Sequence, residues 1–270
     1  MSLPKIPIKS PEEILAMRES CQITAEVLDA VTDIIRPGIS TEEINSFAHR
    51  MIVDRGGIPS CLNYKGFPKS ICTSINDVIC HGIPSTLELL RAGDIINVDV
   101  TTYKNGFHGD ASRMYLVGGA ESCSKQAIQL VLDTQEALMI GISTVKPGSR
   151  VGDIGAAIQR FIKQTDRGYG IVREYTGHGI GREFHEAPQV LHLGKMGTGE
   201  RLAPGMTFTI EPMINIGTPR TSLSRVDGWT VRTADSKLSA QWEHTVLVTE
   251  TGVEVLTLSP RFGSAAIPIN

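Results

Sequence analysis

Apolar residues recur along the first fifty positions at helical spacing. Ile14, Met17, Cys21, Ala25, Leu28, Val31 and Ile35 follow one another at steps of three and four, the period that keeps one helix face apolar. Ser10-Pro11-Glu12-Glu13 precedes the run in the form of a helix start, with Ser as cap, Pro at the first helical position and Glu reaching back from the third. Pro37-Gly38 marks its end. Ser40 with Glu43 opens a second helix, apolar at Ile44, Phe47, Ala48, Met51 and Ile52 and stopped at Gly56-Gly57. The plan returns later. Ile128, Val131, Leu132, Leu138 and Met139 predict a long helix ending at Lys146-Pro147-Gly148, and Val151 to Thr165 a shorter one.

Between the helix pairs the period changes to that of strands. Ile95 to Tyr103 and Phe107 to Val117 flank Lys104-Asn105-Gly106, and Asn-Gly between two such runs is the strongest short hairpin signal. If Asn105 and Gly106 form the turn, Asp110 faces Thr101, and Asp99 lies one diagonal step away on the same face, roughly 7–8 Å distant at Cβ. Gly93 to Asp99 is echoed by Gly205 to Glu211, each placing a carboxylate six residues after a glycine, and the acids are 112 residues apart. Pro37 and Pro147, 110 apart, and His81-Gly-Ile-Pro with His178-Gly-Ile-Gly, 97 apart, add two further echoes. They predict a single domain over 1–270, with related halves at about 10–118 and 122–258. Two helices per half behind a shared antiparallel sheet make an α+β fold whose open sheet face receives side chains from both halves.

The net charge of −3 gives no global basic field for nucleic acid or an anionic membrane. The N-terminal MSLPKIPIKS lacks the apolar core of a signal peptide, and nowhere do eighteen apolar residues run together, so the chain reads as soluble and cytoplasmic. Five cysteines, an odd number without a CxxC pair, read as reduced thiols.

The chemistry gathers around carboxylates and histidines. Asp99 and Asp110 share a hairpin, Glu211 ends the apolar run Thr207 to Ile210, and Glu243 interrupts another strand pattern, Gln241 to Val248. On a polar face these would be solvated acids; buried, they must be paired or coordinate metal. Thr176 to Pro188, TGHGIGREFHEAP, adds His178 and His185 among closely spaced glycines, together with Glu183 and Glu186. Seven residues apart, the histidines are not an HExxH zinc pair, and each is either a turn residue or part of a site. Four carboxylates and His178 form an oxygen-rich donor set suited to Mn²⁺, Fe²⁺, Co²⁺ or a catalytic zinc pair; five ligands exceed the need of one ion and match two.

These residues resemble, in order and over nearly the whole chain, the bacterial type I methionine aminopeptidases. The motifs are HGIP at 81, NVDV with Asp99, FHGDAS with Asp110, TGHGIGREFHEAP, TIEP with Glu211 and QWEHT with Glu243. The resemblance implies the pseudo-twofold pita-bread fold and two divalent ions per chain, Co, Mn, Fe, Zn or Ni. Asp99, Asp110, His178, Glu211 and Glu243 would be the ligands, with Asp110 and Glu243 bridging. It further implies removal of the N-terminal methionine from peptides and nascent chains with a small second residue, a metal-bridging hydroxide attacking the scissile carbonyl. Glu211 would shuttle the proton, His185 donate a hydrogen bond to that carbonyl, and His81 orient the substrate amide. Cys61, Tyr64, Phe67, Cys72, Phe184 and Trp229, with both of those histidines, would form the methionine pocket. Phe67 and Trp242 depart from the family pattern, where Tyr is usual. Expected partners are a transient ribosome contact and no membrane or specific nucleic acid, for a monomer.

Two rivals remain open. Proline-specific pita-bread peptidases have similar ligands, but generally an additional N-terminal domain, for which a first ligand at residue 99 leaves no space. A pseudo-enzyme would keep the fold as a peptide-binding module and usually loses ligands; all five are present here.

Overall fold

A computed structural model of the chain describes residues 6–263. The first five and last seven residues of the expected 1–270 domain, including the start of MSLPKIPIKS, lie outside the described residues.

Four helices form where the apolar periodicity and caps predict them: α1 Pro11–Val31, α2 Thr41–Asp54, α3 Lys125–Ser143 and α4 Val151–Gln164. Both expected capping boxes close. The Glu13 amide donates to Ser10 Oγ at 3.3 Å while the Ser10 amide donates to Glu13 Oε2 at 2.9 Å, and Ser40 and Glu43 repeat the exchange at 3.2 and 2.8 Å. α1 ends at Val31, short of Ile35. There the chain tightens into i to i−3 bonds, the Asp33 amide to Ala30 O and the Ile34 amide to Val31 O, both 3.1 Å, and Pro37 disfavours helix at the residue before it. Ile34 and Ile35 still pack against the core, so their apolar spacing outlasts the helix.

Nine strands form one antiparallel sheet. Its path runs Ile58–Pro59, Ile95–Lys104, Phe107–Leu116, Glu243–Val248, Thr207–Ile210, Gly177–Gly179 and Glu186–Val190, with Cys72–Ile75 beside the second strand and Val253–Val255 beside the fourth. Strands from the two parts of the chain meet where Glu243 faces Ser112 and His244 faces Ala111. Gly93 and Gly205, the echoed glycines, both turn through positive φ, +92° and +85°, two residues before a sheet strand begins. Two three-stranded sheets flank this one: Gly170–Ile171, Met213–Asn215 and Ser239–Gln241, and Val78–Cys80, Thr221–Leu223 and Val231–Thr233. The pattern read as one strand, Gln241 to Val248, is therefore split, Gln241 in a flanking sheet and Glu243 opening a central strand.

Each helix pair covers its own apolar core. Under α1 and α2, Val27, Leu28, Ile44 and Ile52 pack on Ile96, Val98 and Val100. Under α3 and α4, Leu130, Leu138, Ile154 and Ile158 pack on Phe208, Ile210 and Val246. Burial of each such side chain contributes about 1.5–3 kcal/mol. With helices on one face, the other face of the sheet is left to build a site. No helix among the described residues is long and apolar enough to cross a membrane.

Candidate metal centre

Asn105 and Gly106 take positive φ, +52° and +87°, as a two-residue hairpin turn demands, and they set the register of the whole ribbon. Thr101 faces Asp110 and Asp99 faces Ser112. Thr101 Oγ1 donates to Asp110 Oδ1 at 2.6 Å, so the buried carboxylate is oriented by its cross-strand partner. Glu211 lies one residue beyond its strand, where its amide leaves the ladder and donates instead to His192 Nε2 at 3.0 Å. Its carboxylate is held from both sides, by Thr209 Oγ1 at 2.7 Å and Gln241 Nε2 at 3.3 Å. Glu243 opens its strand, and the preceding Trp242 points the opposite way, its indole donating to Val131 O on α3 at 3.1 Å. That departure from the family pattern is thus turned away from the carboxylates.

His178 sits in the strand Gly177–Gly179 because only glycine fits beside it. A Cβ on Gly177 would collide with the Thr209 carbonyl, and one on Gly179 with the Ala187 carbonyl. The glycines of the loop mark close backbone approach. His178 Nδ1 lies 3.0 Å from Gly179 O, and a carbonyl only accepts, so Nδ1 carries the proton and Nε2 presents a lone pair. That Nε2 is 3.7 Å from Asp110 Oδ2 and 3.8 Å from Glu211 Oε1. Asp110, His178 and Glu243 each offer a ligand atom within 4.8 Å of the others. Asp99 and Glu211 line the same cavity, of about 290 Å³.

The electrostatics fit a divalent cation. Burial holds the Asp99 carboxyl up at about 7 and that of Glu211 at about 8, and raises Asp110 and Glu243 well above the carboxylate range, with repulsion from neighbouring carboxylates adding to the last three. His178, the basic partner that the ion pairs give Asp110 and Glu211, is pushed down to about 4 by burial and stays neutral. Four carboxylates sharing one cavity with a neutral imidazole whose lone pair faces them form a site for positive charge. The donors are hard oxygens plus one nitrogen, with no thiolate, the set for catalytic divalent ions.

All eight residues expected to contact substrate line this cavity. Cys61, Phe67, Cys72 and Phe184 form a small apolar cluster of their own, with Tyr64 and Trp229 packed against it. Phe67 meets Trp229 edge-on at 5.2 Å, and its missing hydroxyl leaves that wall apolar. His185 stands at the rim, its ring centroid 4.0 Å from that of His178, and its Nδ1 is 2.9 Å from the Tyr64 hydroxyl. Desolvation, then neighbouring His178 and Lys65, keeps it neutral. His81 turns through φ +57°, uncommon outside glycine, to face Tyr175 and Trp229, and burial pushes it down to about 4.

Besides Lys65 and Cys80, which adjoin Tyr64 and His81, sequence reasoning missed Glu174, Tyr175, Thr176, Met213 and Gln241 in the cavity wall. The first three precede Gly177 directly and the last two flank Glu211 and Glu243 by two residues, so proximity to the ligands was their signal. His192, in an ordinary apolar context, carried none.

Comparison with known proteins agrees with this geometry. Residues 15–250 match the model of metallopeptidase family M24. The methionine aminopeptidase of Rickettsia prowazekii is 50% identical over 256 residues, covering 95% of this chain and 96% of that protein. Methionine aminopeptidase A of Synechocystis is 53% identical over 253 residues, covering 94% and 98%. The crystal structure of the Rickettsia enzyme superposes with a TM-score of 0.91 at 49% identity, covering 94% of this chain and all of that one. Prolidase from Pyrococcus furiosus, at 23% identity and a TM-score of 0.71 over 65% of its length, shares the fold alone. The chain belongs to metallopeptidase family M24, among its bacterial methionine aminopeptidases.

Proposed function

We propose that this chain removes the N-terminal methionine from peptides and nascent proteins, with two divalent ions held by Asp99, Asp110, His178, Glu211 and Glu243, of which Asp110 and Glu243 are shared. Metal-dependent methionine removal follows from the family. The ion count and the roles of the residues rest on one observation: five donors, four of them carboxylates and three of them oriented by hydrogen bonds, in a single cavity. Bound ions would supply Lewis acidity and lower the pKa of water toward neutrality.

The rest is the work of side chains. Neutral His185 can donate from Nε2 to the scissile carbonyl only if Nδ1 accepts, and the Tyr64 hydroxyl at 2.9 Å is placed to donate there. Glu211 carries the proton to the leaving amine, and His81 orients the substrate amide. The wall of Cys61, Tyr64, Phe67, Cys72, Phe184 and Trp229 meets the thioether with polarisable surface. A cavity of about 290 Å³ lies at the low end for small-molecule sites, a size in keeping with a methionine side chain. The same proposal takes 1–270 as one catalytic domain of two related halves, acting as a cytoplasmic monomer on chains leaving the ribosome.

The test is chelation followed by separate addition of Mn²⁺, Fe²⁺, Co²⁺, Ni²⁺ or Zn²⁺, with release of free methionine followed from Met-Ala-Ser and Met-Leu-Ser. Restored cleavage of the first and near inertness toward the second is expected. Preferential cleavage of Xaa-Pro dipeptides would move the chain to the proline-specific members of the fold, and metal binding without any cleavage would make it a binding module.

A further inference from the structure

Glu186, beside His185, has no part in the proposed chemistry, yet it is joined to a lysine 177 residues earlier. Lys9 Nζ lies 2.6 Å from Glu186 Oε2, with the two side chains only 3% and 9% exposed. The other oxygen, Oε1, accepts the Glu183 amide at 3.2 Å, so one carboxylate ties Lys9 to the loop between His178 and His185. Lys9 is itself fixed, its amide donating to Gly205 O at 2.8 Å. Room for its side chain is provided by Gly181, where a Cβ would collide with it. Apart from this tie the loop is anchored at its beginning by the Ile180 amide to Thr207 O at 3.2 Å and the His108 amide to Gly181 O at 2.8 Å, and further along by side chains, Arg182 on Glu13 Oε1 at 2.9 Å, Phe184 in its apolar cluster and the Tyr64 hydroxyl 2.9 Å from His185 Nδ1, while Arg182, Glu183 and His185 are exposed. A buried ion pair is poor value as a source of stability, since desolvation of both charges offsets their attraction; its geometry is what it adds.

We propose that Lys9 and Glu186 are a positioning pair, through which the N-terminal segment before α1 holds Phe184 and His185 at the rim of the methionine cavity. The inference rests on the functional reading above for what His185 does, but not for where it is held. Lys9→Met removes the charge and keeps the length, and Lys9→Arg restores the charge. Expected for Lys9→Met is a fall in kcat of about tenfold or more on Met-Ala-Ser, with unchanged Mn²⁺ affinity by calorimetry, together with a shifted His185 side-chain ¹⁵N signal, both largely recovered in Lys9→Arg. The double variant Lys9→Met with Glu186→Leu buries no unpaired charge, so it keeps a folded protein in hand if the single variant fails, and the same loss is expected of it. A kcat within twofold of wild type and an unmoved His185 signal, even with a lower melting temperature, would reduce the pair to a structural role. Should wild type itself release no methionine, the functional reading fails, and the His185 signal still decides whether the pair positions the loop.

Discussion

The Tyr64 hydroxyl reaches Nδ1 of His185, 121 residues away in sequence, at 2.9 Å, with the two rings stacked at an interplanar angle of 16°. When the hydroxyl donates to that nitrogen, the proton of the neutral imidazole is left on Nε2. Replacing Tyr64 by Phe keeps the ring and removes the donor, so the orientation and tautomer of His185 relax. The expected result is a kcat for Met-Ala-Ser lowered about tenfold to a hundredfold, with KM changed little, as for loss of an interaction made in the transition state. Steady-state kinetics on the purified variant check it.

Thr101 hydrogen-bonds Asp110 at 2.6 Å in a fully buried setting. Thr101→Val keeps the shape and leaves that carboxylate free to turn. Loss of such a partner behind a ligand typically costs 10–100-fold in metal affinity. Titration calorimetry with Mn²⁺ should show a loss in that range, and the chelated protein should lose about 1–3 kcal/mol of stability because a buried carboxyl is left without its partner.

Metal-free protein should lose stability as the solution becomes alkaline. Asp99 is held up at about 7 and Glu211 at about 8. The unfolded chain gives up these protons near pH 4, so at neutral pH the native state binds more protons than the unfolded one, and stability falls as pH rises. The contribution is complete below the unfolded pKa and gone once pH passes the folded one. His81 and His178, pushed down to about 4, act in the opposite sense, but only below the ordinary imidazole value near 6.5. Between about pH 6.5 and 8.5 the urea midpoint of chelated protein should therefore decrease, and saturating Mn²⁺ should remove the decrease, since metal selects the ionised carboxylates.

Trp242 is anchored by its indole on Val131 O and is 2% exposed, with the carboxylates on the other side of the strand. Trp242→Phe removes the indole donor that this helical carbonyl accepts in addition to its helix bond, and leaves a gap beneath α3. A stability loss of about 1–3 kcal/mol is expected, with kcat per bound metal unchanged. Denaturant unfolding and kinetics on the same sample separate the two.

Much of this arrangement was legible in local sequence, for reasons visible at particular residues. Ser10 with Glu13 and Ser40 with Glu43 are reciprocal caps that work without knowledge of the rest of the chain. Asn105-Gly106 determines a register, so the facing of Asp110 and Thr101 followed from counting. What stayed hidden depends on distant contacts. Nothing near Gln241 announces that its strand leaves for another sheet before Glu243, because that break is imposed by Met213 on one side and Ser112 on the other. His192 supports the amide of Glu211 only because the fold brings two strand ends together. The end of α1 was misplaced because Ile34 and Ile35 remain apolar and half-buried against the core after the helix has stopped. The tie from Lys9 to Glu186 spans 177 of the 270 residues, and neither residue's neighbours hint at the other.

The most direct test is anomalous diffraction from crystals of the chelated protein soaked in Mn²⁺. A dinuclear centre predicts two peaks in the cavity, one on each side of the Asp110 and Glu243 carboxylates, with His178 Nε2 coordinating one of them. A single peak, or peaks that none of Asp99, Asp110, His178, Glu211 and Glu243 coordinate, would contradict it.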